Sequence, residues 1–327
     1  MKELASIRNY GTLYVCNMKG ATFLKVQMVD GHDIELYVYE PHAEIRIRGV
    51  IQLVHGSCEH AKRYEPFIHN LNENGYIVYA NDHRGHGQSV QTPDDYGYFG
   101  EENGWQLMVD DLKAVNDIIH AHYPELPIIM LGHSMGSFLA RHYAIDYGET
   151  IDGVILSGTA HNHKIQLKAG QWASKLAKKF KGSKERSAII HRLSYGAFNK
   201  GIENLRTASD WICYDESVVD EFVKDPSCGF VFTNAGFYDL FNGLLYITDS
   251  QNISKMPIDL PVLLISGADD PVGGNGEMVK KAYEAMKKAQ LTTVDMKLYS
   301  HMRHEILNEF NKIEVYQDII NWLEQVI

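Results

Sequence analysis

Hydrophobic positions along the chain fall into two alternating patterns. Short, largely apolar runs occupy residues 49–54, 76–80, 127–131, 154–157 and 262–265, and residues 294–299 read as a further strand. Short runs dominated by apolar residues read as buried strands. Residues 23–29 and 34–40 flank Asp30-Gly31, a dipeptide that suits a tight hairpin turn. Segments of helical period lie between the runs. Residues 64–74 have helical spacing and stop at Gly75. Residues 105–122 place Leu107, Val109, Leu112, Val115 and Ile118 roughly on one side. Residues 134–147 and 313–326 also read as helices. Strands alternating with helices predict an α/β protein with a parallel sheet covered on both faces.

This rhythm breaks between residues 161 and 257 and resumes at Pro261. Helical stretches rich in aromatics replace the strands there, among them Trp172, Phe180, Tyr195, Phe198, Trp211, Phe222, Phe232, Phe237 and Phe241. The pattern predicts a core domain of residues 1–160 and 258–327, with residues 161–257 inserted as a helical cap over a site at the sheet edge. Most of these aromatics are expected to form the insertion's own core, and the remainder to line an apolar pocket.

One candidate for chemistry sits where a strand meets a helix. Gly132-His133-Ser134-Met135-Gly136 follows the run at 127–131. A G-x-S-x-G turn of this kind exposes the serine hydroxyl on a strained backbone, and its glycines keep side chains out of a crowded corner. The following helix N-terminus adds N–H groups and a positive dipole end. Ser134 is therefore the candidate nucleophile. His55-Gly56-Ser57 ends another strand. The backbone N–H groups of Ser57 and Met135 are the candidate oxyanion donors. His55 is expected to be a structural histidine bonded to nearby backbone.

An acid and a base should follow later strands, in the chain order serine, carboxylate, histidine. Asp269 and Asp270 both follow the run at 262–265. Asp270 is preferred because it precedes Pro271, which pushes its backbone toward an extended or turn conformation. His301 and His304 both follow the run at 294–299. His304 is preferred because it lies immediately before the closing helical region. Its imidazole would take the serine proton while the carboxylate holds its other nitrogen.

Charge and composition narrow the function. The formal net charge of −11 argues against nucleic acid, which is bound by neutralising phosphates. Residues 168–184 hold six lysines, expected to be a solvated helix face. The four cysteines, Cys16, Cys58, Cys213 and Cys228, form no CxxC pair, so neither a zinc framework nor a disulfide framework is expected. No HExxH is present, and His161-Asn162-His163 lacks nearby acidic ligands. Gly273-Gly274-Asn275-Gly276 is neither a P-loop nor a dinucleotide fingerprint. No metal or cofactor is expected. Residues 1–10 carry no apolar run of signal-peptide length, and no stretch is long enough to span a membrane. The expected location is cytoplasmic, with room for transient membrane contact.

Taken together, these segments resemble the monoacylglycerol lipase and lysophospholipase branch of the α/β hydrolases, grouped with the serine aminopeptidases. The resemblance rests on His55-Gly56, Glu59-His60, Arg63-Tyr64, the stretch from Asp82 to Ser89, Gly132 to Gly136, Gly267 to Asp270, and His304-Glu305. It implies an α/β-hydrolase fold with an eight-stranded, mostly parallel sheet and a helical cap. It also implies that Arg84 and His86 are structural. The expected function is hydrolysis of carboxylic acyl esters through a Ser134, His304 and Asp270 triad, with a small-molecule substrate. An amidase or aminopeptidase using the same triad, and a non-catalytic small-molecule receptor, are the alternatives.

Overall fold

The computed structural model describes residues 14–18 and 21–327. Residues 1–10 and the Cys16 side chain, both considered above, lie outside the described residues. Strands β1 (Tyr14–Met18), β2 (Ala21–Gln27) and β3 (Asp33–Tyr39) form an antiparallel meander. Strands β4 (Gly49–Val54), β5 (Tyr76–Asn81), β6 (Ile128–His133), β7 (Gly153–Ser157), β8 (Val262–Gly267) and β9 (Val294–Tyr299) run parallel to one another. All lie in one sheet, in the order β1-β2-β3-β5-β4-β6-β7-β8-β9. The eight expected strands are present, and β1 extends the antiparallel edge as a ninth. The hairpin turn falls at residues 28–32, where Gly31 adopts φ +84°. Val29, expected at the end of a strand, is an exposed turn residue.

The described helices are α1 (Glu65–Glu73), α2 (Gly104–His122), α3 (Met135–Tyr147), α4 (Lys164–Lys181), α5 (Ala188–Tyr195), α6 (Glu216–Lys224), α7 (Asn234–Ile247), α8 (Ser250–Ile253), α9 (Glu277–Lys288) and α10 (Lys312–Val326). Side chains of α1 and α10 bury one face of the sheet, and those of α2, α3 and α9 bury the other. Within β4, Val50 and Val54 join one core while Ile51 and Leu53 join the opposite one. Two buried faces explain why its sequence is nearly all apolar rather than alternating, with Gln52 the one polar side chain, its Nε2 donating to Leu112 O. The buried stripe of α2 runs through Met108, Val109, Leu112, Val115, Ile118 and Ile119, with Leu107 only half-buried. Helices α4 to α8 all fall between β7 and β8, where no strand is described.

Strand β4 connects through α1 to β5 on one side, while β6 connects through α3 to β7 on the other. The chain therefore reverses its winding between β4 and β6. The loops leaving such a pair of strands diverge and open a crevice at their carboxyl ends. Ser57 follows β4 and Ser134 follows β6, so both candidates stand at this crevice.

Candidate active site

Ser134 occupies the turn between β6 and α3 with φ 52° and ψ −120°. An L-residue in that region stores strain of roughly 1–3 kcal/mol, which the surroundings must over-determine. They do so through the main chain. Ser134 N donates to Ser157 O at 2.9 Å, and Ser134 O accepts from Ser137 Oγ at 2.6 Å. A Cβ at position 132 would lie 2.3 Å from Gly136 O, and one at position 136 would lie 2.1 Å from Val54 O. Both flanking glycines are thus required by close backbone approach.

Asp270 and His304 come together behind this turn. Asp270 is fully buried at the end of β8. Its Oδ2 accepts from His304 Nδ1 at 3.0 Å and from Ser266 Oγ at 3.0 Å, and its Oδ1 accepts from Val272 N at 2.8 Å. A carboxylate only accepts, so the imidazole proton sits on Nδ1 and the Nε2 lone pair is available. His304 Nε2 is buried without a hydrogen-bond partner among the described residues. The rejected alternatives sit elsewhere. Asp269 is exposed and accepts from Tyr214 OH at 3.1 Å, and His301 is an exposed loop residue at φ 57°.

Two cavities meet at Ser134. The smaller, about 110 Å³, is lined by Ser57, Ser134, His304, Glu59, Glu305 and Trp211, among others. Ser134 and His304 thus share one cavity, without a hydrogen bond between them. Such bonds commonly tighten only when substrate binds. The larger cavity, about 590 Å³, is lined by Ser57, Ser134 and Met135 together with largely apolar side chains from α3, α4, α5 and α7. Of the aromatics singled out in the sequence, Tyr195, Phe198, Trp211 and Phe241 line it. Phe222 lines the smaller cavity, Phe232 and Phe237 are buried in packing, and Trp172 and Phe180 are exposed.

A family model described as serine aminopeptidase, S33 (Hydrolase_4) matches residues 45–311. The chain belongs to this family. The S33-family chain is 28% identical over 279 residues to a monoacylglycerol lipase of Mycolicibacterium smegmatis, covering 84% of this chain and 88% of that one. It is 26% identical to the mouse monoglyceride lipase, covering 86% and 84%. A thermostable carboxyl esterase from Bacillus coagulans, solved with glycerol, superposes with a TM-score of 0.87 at 29% identity over 94% of this chain and 99% of that one. A soluble variant of the Saccharomyces cerevisiae monoglyceride lipase shares the fold, with a TM-score of 0.70 at 22% identity over 98% and 96%. This protein is an α/β hydrolase.

In this S33-family hydrolase a buried ion network joins the loops after β4 and β9. Arg63 Nη1 donates to Glu305 Oε1 at 2.7 Å and Arg63 Nη2 to Glu305 Oε2 at 2.8 Å, while Nη1 also meets Glu59 Oε2 at 2.5 Å. Glu59 Oε1 in turn accepts from Gly56 N at 2.6 Å and Tyr64 OH at 2.7 Å. The network therefore sets the Gly56-Ser57 main chain against the residue next to His304. Glu59, Arg63 and Glu305 stood in the sequence only as marks of resemblance. The one local signal was the i, i+4 spacing of Glu59 and Arg63.

Electrostatics favour a poised imidazole. Burial pulls the His304 pKa down, but the charge and hydrogen bond of Asp270, helped by Glu305 and Glu59, lift it above the ordinary 6.5. Trp211, from the segment between β7 and β8, packs 5.1 Å from the His304 ring. A base must be neutral to accept a proton, so the acid limb of kcat/KM for ester hydrolysis is expected to have its midpoint above pH 6.5. A pH–rate profile checks this; a midpoint well below that value would separate His304 from the rate. Neighbouring His133, 4.6 Å away, is held neutral with a pKa near 3, chiefly by burial.

The remaining polar candidates are structural. His55 Nδ1 donates to Gly56 O and Nε2 accepts from His83 N, so His55 is bonded to backbone as expected. Arg84 is held by Asp111, with bonds of 2.6 and 2.7 Å, and also by Asp30. His86 Nδ1 donates to Arg84 O at 2.9 Å. Lysines of α4 and its end reach Asp249, Glu101 and Asp95, consistent with a solvated face. Arg141, almost wholly buried in α3, donates to Ala160 O at 2.8 Å and Ile247 O at 3.0 Å. Burial lowers its pKa to about 10. No described helix is long and apolar enough to cross a membrane.

Proposed function

We propose that the chain hydrolyses carboxylic esters of the monoacylglycerol or lysophospholipid type, with residues 161–257 forming a cap over the site. Ser134 attacks the ester carbonyl while His304 takes its proton at Nε2. Asp270 fixes the imidazole through Nδ1 and stabilises the charge that develops on it. The Ser57 and Met135 N–H groups receive the oxyanion. The alcohol leaves with the proton from His304, and water releases the acyl group by the same route. Each oxyanion donor is worth roughly 3 kcal/mol of barrier.

The observation that carries this reading is the strained Ser134 turn sharing a cavity with an imidazole hydrogen-bonded at 3.0 Å to a buried carboxylate. The lipase and esterase names of the relatives support the ester class. Helix α3 begins directly after Ser134, so its positive end supports the oxyanion placement. In this reading the large cavity takes the acyl chain and the small one, of mixed polar and apolar lining, takes the alcohol.

p-Nitrophenyl esters of graded chain length test it. Each added methylene buried in the apolar cavity contributes up to about 0.8 kcal/mol, so kcat/KM is expected to rise as much as about fourfold per methylene until the cavity is full. Flat dependence on length would remove the acyl-pocket assignment. A second reading, cleavage of amides next to a free amino group, draws on the Glu59 and Glu305 carboxylates in the small cavity. Both carboxylates already hold Arg63, which weakens them as an anchor for an ammonium group. Faster turnover of aminoacyl-naphthylamides than of esters would reverse this preference.

A further inference from the structure

Away from Ser134, the fold gathers three donors of different chemistry. His60 follows β4, whereas Asp225 and Cys228 lie between α6 and α7. One ligand atom from each, the imidazole nitrogen, a carboxylate oxygen and the thiol sulfur, lie within 4.8 Å of one another. His60 Nε2 donates to Asp225 Oδ2 at 2.9 Å. Both side chains keep some solvent access, 15% and 34%, so an ion could enter from solvent.

We propose that His60, Asp225 and Cys228 form a binding site for a borderline-soft divalent metal ion of the zinc class. The donor set selects the ion. Calcium and magnesium take oxygen ligands, whereas nitrogen and sulfur together suit zinc or cobalt. Three protein ligands leave one tetrahedral position for water. The carboxylate is already oriented, because Asp225 Oδ1 accepts from Ser227 N at 2.7 Å while Oδ2 faces the imidazole. Such outer contacts fix a ligand before the metal arrives. The local charge also favours a cation. Burial, the largest cause, raises the Cys228 thiol pKa, and Glu59, Asp225 and Glu305 add to this against the one Arg63 guanidinium, so the thiol proton leaves only as the metal binds.

Binding needs no redox partner. The Cys228 S–H bond breaks and its proton passes to solvent, and the thiolate donates an electron pair to the metal. The imidazole gives up its Nε2 proton to solvent and takes one back at Nδ1, so that the freed Nε2 pair binds the metal, and the His60–Asp225 hydrogen bond gives way to two metal–ligand bonds. The bound ion would tie the loop that carries Ser57 to the segment between α6 and α7. These two stretches already touch, since Gly229 N donates to Cys58 O at 2.9 Å. No metal pattern is legible along the chain because the histidine stands 165 positions from the aspartate.

The test uses the whole chain, stripped with a chelator and titrated with cobalt(II) alone. A thiolate-to-cobalt absorption band in the near ultraviolet is expected, saturating at stoichiometric metal and displaced by zinc. His60→Gln and Cys228→Ser should each abolish the saturable band while keeping the circular dichroism and metal-free Tm of the parent. Cys213→Ser should retain it. Zinc should raise Tm in the parent and in Cys213→Ser, and not in the other two variants, because only a folded site binds it. No saturable band in the parent, or a band that survives Cys228→Ser, overturns the proposal and leaves a surface His–Asp pair beside an unrelated thiol. None of these readouts depends on hydrolysis, so failure here is distinct from failure of the esterase reading.

Discussion

Replacing Ser134 by alanine is expected to lower kcat for ester hydrolysis by about a million-fold, with the fold unchanged. The substitution deletes only the hydroxyl that would carry the acyl group. The bonds that hold the turn run through the main chain, from Ser134 N to Ser157 O and from Ser137 Oγ to Ser134 O, and alanine keeps both. Alanine also carries the same Cβ, so the strain at φ 52° is neither relieved nor increased. The residual rate would come from binding and oxyanion contacts alone, which still act on a water attack. Steady-state rates together with a thermal melt check both halves. A folded Ser134→Ala protein turning over at near-normal rate would end the nucleophile assignment.

Asp270→Asn is expected to lower kcat by about ten-thousand-fold, whereas Asp269→Asn should change it only a few-fold. The reason is the tautomer. An asparagine amide can present its NH₂ to His304 Nδ1, which moves the imidazole proton to Nε2. The nitrogen facing Ser134 would then donate and could no longer accept. Asp269 has no such leverage, because it is exposed and bonded to Tyr214. Measuring both variants on one ester decides between them. A larger loss in Asp269→Asn would transfer the carboxylate role.

The features legible from sequence were those with local physical signatures. A strand buried on both faces is dominated by apolar residues, so β4 to β8 announced themselves. The β6–Ser134–α3 turn was legible because its two glycines stand at fixed spacing around the serine, although only the Gly132 contact is local and Gly136 answers to Val54 on a neighbouring strand. Choosing Asp270 over Asp269 drew on Pro271, an immediate neighbour. Long-range features left no such mark. Glu305 and Arg63 are 242 positions apart, and nothing near either one predicts the bidentate pair. Trp211 could be marked as aromatic but not placed against His304. Strand β1 was missed because an edge strand pairs on one side only and need not be apolar. In α2, Met108 rather than Leu107 joins the buried stripe, since a small rotation of the helix decides between adjacent positions.

Arg141 bears on how substrate can reach the large cavity. Its guanidinium holds carbonyls near both roots of the segment between β7 and β8, at Ala160 and at Ile247. Swinging that segment outward as a rigid door would strip a buried cation of both acceptors, a penalty of several kcal/mol. The hinge line is therefore locked. In the proposed ester reading, admission of an acyl chain falls instead to α5, where Leu193 lines the cavity and, like Ile189, stands exposed.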